Sequence, residues 1–171
     1  WYQAYQLPSF QWLGGGVEQN IDVDDSGATR VLPIPVTIYD AVLPAGTNIF
    51  LCSNGFFNWA YPPAAPSTNC DWQVGLLPVT RVADFWSDLS TCNVAGGDCE
   101  NPQSLCTATV NTACGGDADV FINNQVTFVS YRWCTCYWGN TDNGYGVPRN
   151  NRADFEVWVF NNGNLQYNWN V

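Results

Sequence analysis

Apolar side chains recur at every second position along most of this chain, and short stretches rich in Asn, Gly and Pro interrupt them. No segment keeps the 3.6-residue apolar period of an amphipathic helix over two turns. Alternation with period two is typical of β-strands that bury one face. The pattern therefore predicts an all-β fold, and specifically an antiparallel β-sandwich built from short strands.

The closing stretch, residues 154–170, shows this pattern most clearly. A two-residue Asn162-Gly163 turn would pair apolar side chains with polar ones. A three-residue loop, residues 161–163, instead places the apolar side chains of both strands on one face. Its third position suits glycine because that position takes the left-handed backbone conformation. The predicted cross-strand pairs are Val159 with Leu165, Val157 with Tyr167, and Phe155 with Trp169.

The same device, an x-Asn-Gly loop with glycine third, recurs at residues 53–55. It predicts a second hairpin in which Leu51 faces Phe57 and Ile49 faces Trp59. Cross-strand pairs of this kind on a buried face stabilise a sheet.

Two further strand predictions follow from parity. Pro33 and Pro35 share one parity, so both missing N–H donors lie on one side, which predicts an edge strand. Residues 120–129 predict a hairpin around Asn123-Asn124, and residues 126–138 predict one long strand or a strand with a bulge. The inward side chains of the proline-containing strand are Leu32, Ile34, Val36 and Ile38.

The length of 171 residues suits a single domain, residues 1–171. The chain begins at Trp1 without a basic and apolar leader, so we expect a secreted protein whose signal peptide has been removed. Lys, His and Met are absent, and five arginines face fifteen acids for a net charge of -10. This charge disfavours nucleic acid and anionic membranes as partners, and no apolar run is long enough to cross a bilayer.

Eight cysteines form an even set, which predicts four disulfides made in an oxidising compartment. A zinc site is disfavoured because histidine is absent. Cys134 and Cys136 point the same way on a strand about 6.7 Å apart, too far to bridge each other. A Cys52–Cys70 staple is plausible, and residues 92–114 are predicted to form a cysteine-rich insertion. The other cysteines are Cys92, Cys99, Cys106 and Cys114.

Catalysis is not expected from this composition. Without His or Lys, the chain lacks Ser–His–Asp, Cys–His and Schiff-base chemistry. Asp154 and Glu156 share a strand face about 6.7 Å apart, a spacing that glycosidases use. We expect them instead on a solvated outer face, and Asp84 and Asp88 in a turn that caps backbone donors.

An acidic cluster at Asp22, Asp24 and Asp25 resembles the first half of a calcium loop. The twelfth position is Pro33 rather than glutamate, so an EF-hand is excluded. A different oxygen cage for Ca²⁺ and a plain acidic turn both remain as interpretations. Glu18 or Asp142 would contribute a further ligand to this cage, and Asp117 with Asp119 forms a weaker second candidate.

Several motifs together resemble the nidogen-type extracellular β-sandwich module and its secreted microbial relatives. They are the acidic-Gly turn, Leu-Pro-x-Pro strand and x-Asn-Gly-aromatic hairpin of residues 22–59, the segment ADFWSDL (83–89), and the closing hairpin (153–169). Asp84 stands where the pattern has proline, and the insertion at 92–114 is not part of it. The resemblance implies a secreted, non-catalytic module of adhesion and matrix proteins.

Nine Trp, eight Tyr and nine Phe exceed what the paired inward positions need, and the surplus lies in loops. Such rings either cover the ends of the sandwich or stack on a ligand. We predict a non-catalytic binding protein for a small, noncovalently held aromatic molecule, such as a pigment, or for a glycan. The alternatives are an adhesion module and, less favoured, an acidic glycosidase. The candidate contacts are Trp59, Tyr61, Tyr137, Trp138 and Tyr145, with Asn140 and Asn143 orienting the ligand.

Overall fold

The computed structural model describes residues 13–21, 26–39, 41–59, 70, 81–83, 89–91, 119–137 and 152–170. This part of the chain is all-β, with twelve strands and no helix, as predicted. The strands are β1 (Val17–Glu18), β2 (Gly27–Val31), β3 (Val36–Ile38), β4 (Ala41–Leu43), β5 (Asn48–Cys52), β6 (Phe56–Asn58), β7 (Arg81–Ala83), β8 (Leu89–Ser90), β9 (Asp119–Asn124), β10 (Phe128–Tyr137), β11 (Arg152–Phe160) and β12 (Leu165–Asn170).

The described strands form antiparallel sheets. The larger sheet runs β1-β9-β10-β11-β12, and β8 pairs with the end of β10. A four-stranded sheet runs β2-β5-β6-β7, and β3 with β4 forms a separate hairpin. Each described pairing between neighbouring strands is antiparallel, which agrees with the predicted fold class.

The hydrophobic core lies between the six-stranded and the four-stranded sheet. Phe57 of β6 meets Tyr131 of β10 with ring centroids 4.7 Å apart, and both side chains are buried. The indole N–H of Trp133 donates to the backbone oxygen of Cys52 at 2.7 Å, and its ring stacks on Phe155 at 5.3 Å. Ring packing and one buried hydrogen bond therefore join the two layers of the sandwich.

The closing hairpin has the predicted register. Val159 lies opposite Leu165, and the two pairs beyond it follow in step. Gly163 takes φ +89° in the three-residue loop, the left-handed conformation that this position requires. The inward side chains of β12 are less buried than expected: Tyr167 and Trp169 are 39% and 40% exposed. Among the described strands β12 ends its sheet, so its rings lie at the rim of the core.

The second x-Asn-Gly hairpin also forms, with Leu51 opposite Phe57 and Gly55 at φ +81°. Its ladder, however, stops at the pair of Phe50 with Asn58. The same register would bring Ile49 opposite Trp59, but this predicted pair is not part of the ladder. Trp59 lies one residue beyond the end of β6, outside the ladder.

The predicted edge strand needs correction. Pro33 and Pro35 lie before the strand and not in it, because β3 begins at Val36 and a residue without an N–H adds no ladder bond.

The predicted turn at Asn123-Asn124 is also wrong. The turn after β9 lies at residues 126–127, where the Gln125 N–H donates to the Phe128 oxygen. Asn123 and Asn124 continue the strand and pair with Ser130 and Val129.

The Cys52–Cys70 disulfide is present, with Cα atoms 5.5 Å apart. Cys134 is disulfide-bonded as well, and none of the described cysteines is free. The predicted insertion at 92–114 and its four cysteines lie outside the described residues, as do Asp84 and Asp88.

Candidate ligand-binding site and the covered sheet face

Trp59 and Tyr39 lie side by side, where the β3–β4 turn meets the end of β6. Their ring centroids are 6.5 Å apart with an interplanar angle of 32°. Trp59 is half-buried, packs against the main core and lies 6.4 Å from the ring of Phe57. Tyr39 is 48% exposed. The two rings form an aromatic surface with a rigid base and an open side.

The backbone of Tyr39 is strained. Ile38 pairs with Ala41, so Tyr39 begins a two-residue turn, and its φ is +53°. Left-handed φ is uncommon for bulky side chains and costs on the order of 1–3 kcal/mol. Strain of this kind persists where the fold over-determines it, and it is frequent at ligand sites. The turn thus holds the Tyr39 ring beside Trp59.

Only part of the predicted contact set can be placed. Trp59 takes part in the aromatic surface, and Tyr39 is a member that the sequence prediction missed. The backbone of Tyr137 ends β10 opposite Leu89. The sequence feature that could have indicated Tyr39 is its position as a tyrosine in a turn between two short strands. The side chain of Tyr137, together with Tyr61, Trp138, Asn140, Asn143 and Tyr145, lies outside the described residues.

The proposed calcium ligands Asp22, Asp24 and Asp25 also lie outside the described residues, as do Asp117 and Asp142. Within the described ranges there is no group of three side chains that could hold a metal ion.

Asp119, from the weaker candidate cage, has a backbone role. Its carboxylate accepts the N–H of Asn20 at 2.6 Å and of Ile21 at 2.9 Å. These bonds hold the turn after β1, in which Asn20 takes φ +53°. Calcium binding by this chain stays a prediction.

The second face of the six-stranded sheet departs most from the sequence prediction. Asp154 and Glu156 were expected on a solvated face, yet they are 4% and 0% exposed. Their neighbours across the ladder, Ser130, Arg132 and Asn168, are buried as well. At Glu156 the prediction failed because residues 13–16, which are remote in sequence, bond to Glu156 and to its cross-strand neighbour Arg132.

Glu156 and Arg132 hold this segment to the sheet, and together with residues 13–16 we call them the strap contact. One carboxylate oxygen of Glu156 accepts the Leu13 N–H at 3.1 Å, and the other accepts the Ser130 hydroxyl. Arg132 donates to the backbone oxygens of Leu13 at 2.8 Å and Gly15 at 2.6 Å. The guanidinium also lies 4.7 Å from the centroid of the Phe121 ring, in cation–π geometry.

Burial shifts the pKa values of both Glu156 and Arg132. The pKa of Glu156 is raised by desolvation, an effect that hydrogen bonds from Ser130 and Leu13, the nearby Trp158 and the charge of Arg132 oppose in part. The pKa of Arg132 is lowered by burial against the opposing charges of Glu156 and Asp154. A raised carboxyl pKa means that the desolvation of the ionised form costs more free energy than its hydrogen bonds and the nearby positive charge contribute.

This shift predicts a pH dependence of stability. Because the folded-state pKa of Glu156 exceeds the unfolded value of about 4.3, folding favours the protonated form. The stability that the Glu156 carboxyl contributes is fully present below the unfolded-state pKa. It is lost as the pH rises through the folded-state pKa. Urea denaturation across this range should show the wild type losing stability relative to Glu156→Gln. A difference between the two proteins that is constant with pH would contradict the raised pKa.

No protein-family model, curated protein or solved structure matches this chain. The part of the chain that the structure describes has no long apolar helix of the kind that spans a bilayer.

Proposed function

We propose that the protein is a secreted, non-catalytic binding protein that holds the ring of a small aromatic molecule or a sugar against Trp59 and Tyr39. The observation that carries this proposal is the pair of adjacent rings, one seated on the core and one 48% exposed on a strained turn. Aromatic faces bury a flat ligand ring with little loss of side-chain entropy.

Two further observations support binding rather than catalysis. The chain has no His or Lys to act as a general base or amine nucleophile near neutral pH. Of the two carboxylates with glycosidase-like sequence spacing, Glu156 is covered by the strap contact and Asp154 is 4% exposed, so neither faces an open cleft. The motif resemblance to nidogen-type modules also favours a secreted binding domain.

We expect Trp59→Ala to weaken ligand binding about tenfold, because a lost stacking contact of about 1.4 kcal/mol corresponds to that factor. The ligand is first identified by native mass spectrometry of protein from its natural source. Binding is then titrated with that molecule, or with neutral oligosaccharides and planar aromatic dyes, by tryptophan fluorescence and calorimetry.

Trp169→Ala is the matched control, because Trp169 is a partly exposed tryptophan on β12 that packs on Phe155. Tyr39→Gly separates binding from folding, since glycine accepts the left-handed turn without strain. It should lower affinity while leaving the unfolding midpoint unchanged or higher. Equal affinity in wild type, Trp59→Ala and Tyr39→Gly would refute the site.

A further inference from the structure

We propose that Asn162 is a site of spontaneous deamidation in the folded protein, whereas Asn54, in an Asn-Gly loop of the same backbone design, is protected. Asparagine followed by glycine is the dipeptide that suits this reaction, because glycine has no side chain to hinder attack by its own nitrogen.

The two loops provide a natural comparison. In each, the glycine N–H donates to the backbone oxygen three residues earlier, Gly163 to Phe160 at 3.2 Å and Gly55 to Cys52 at 3.3 Å. Both glycines have left-handed φ, +89° and +81°. The backbones are therefore alike, and the asparagine side chains make the difference.

Asn54 is fully buried and held at both ends. Its Nδ2 donates to the Cys70 oxygen at 2.6 Å, and its Oδ1 accepts the Leu89 N–H at 2.7 Å. The amide has no room to turn toward the following nitrogen, and water cannot reach it. Asn54 can react only after unfolding.

Asn162 lies in the exposed loop between β11 and β12. Its Oδ1 accepts the Asn164 N–H at 3.1 Å. A donor on this oxygen polarises the side-chain carbonyl and stabilises the oxyanion that forms when a nitrogen attacks its carbon. The Gly163 N–H must leave the Phe160 oxygen for the attack, which requires opening of the loop tip and not of the sheet.

The reaction balances with water as the co-reactant. The Gly163 nitrogen loses its proton to hydroxide and bonds to Cγ of Asn162, the Cγ–Nδ2 bond breaks, and ammonia leaves with a proton from water. One water then opens the cyclic imide at either carbonyl, which yields aspartate or isoaspartate. No group is oxidised or reduced. Isoaspartate adds a backbone atom to a three-residue loop that has little free space, since a Cβ at Gly163 would lie 3.3 Å from the Thr37 oxygen of β3.

The test is site-by-site peptide mapping of the intact protein after incubation in mildly alkaline buffer, with isoaspartate read by enzymatic methylation. Conversion at Asn162 should exceed that at Asn54 by about 10³-fold or more, since Asn54 reacts only from an unfolded fraction of about 10⁻³–10⁻⁶. In concentrated urea, where both loops are unfolded, the two rates should become similar. The third Asn-Gly pair, Asn143-Gly144, lies outside the described residues and is mapped separately.

Asn162→Gln is the control variant, because the longer side chain disfavours the five-membered ring; its peptide should stay unmodified. Equal conversion of Asn54 and Asn162 in the folded protein would overturn the proposal. So would an unmodified Asn162 in the folded protein together with rapid conversion of both sites in urea.

Discussion

Replacing Gly27 by alanine is expected to destabilise the protein by about 3 kcal/mol, the upper end of the usual cost of overpacking. A Cβ at Gly27 would lie 2.2 Å from the backbone oxygen of Leu51, 2.7 Å from Cζ of Phe50 and 2.8 Å from Sγ of Cys70. One of these neighbours is backbone and another belongs to a disulfide, so neither can swing aside. The small gain from a less flexible unfolded chain, about 0.4–1 kcal/mol, does not offset the clash.

Gly14→Ala is the control for this measurement. A Cβ at Gly14 would meet nothing within 4 Å, and the φ of Gly14 lies outside the left-handed region. Urea denaturation should place this variant within about 0.5 kcal/mol of wild type, as for most surface substitutions. If both alanine variants have the same free energy of unfolding, this would contradict the claim that the neighbours of Gly27 leave no room for a Cβ.

The second large effect is expected at Arg132. Arg132→Met removes the donors to the backbone oxygens of Leu13 and Gly15 and leaves the carboxylates of Asp154 and Glu156 without their neighbouring cation. Removing one partner of a buried charge pair costs about 3–5 kcal/mol. We therefore expect a loss of that size in the free energy of unfolding, a large part of the stability of an ordinary domain.

Arg30→Met is the matched control, because Arg30 also donates to backbone oxygens, those of Thr29 and Gln19. Arg30 is only half-buried, so water replaces part of what its hydrogen bonds supply, and its loss should be the smaller, about 1.5–3 kcal/mol. Adding Glu156→Gln to Arg132→Met should recover part of the loss, since it removes a buried charge. An effect at Arg132 no larger than at Arg30, with no recovery in the double variant, would show that the buried charges are not coupled.

The hairpins could be predicted because their determinants are local. The register at Val159 and Leu165 depends on parity and on one loop of three residues, and all of this information lies within a short window. The failures lie where local signals compete. Asn123 and Asn124 have turn chemistry, yet their pairing with β10 continued the strand, and the turn formed at residues 126–127.

The candidate site shows the same division. Trp59 was singled out as a surplus loop aromatic, which composition and position suffice to indicate. Its partner Tyr39 is twenty residues earlier in the chain, on a hairpin of its own, and only packing brings the two rings together. Sequence patterns do not report the distance between two turns.

Period-two patterning together with the Asn-Gly turn chemistry was enough to predict the antiparallel β architecture and the two x-Asn-Gly loops, since each strand alternates apolar and polar faces within a short window. It could not tell whether the polar face meets water. Leu13 bonds to Glu156 from 143 positions away in sequence, and Arg132 bonds to the same segment, so this long-range contact covers both side chains. Burial is a property of what lies opposite a residue in space, and the residues that supply it here are remote along the chain.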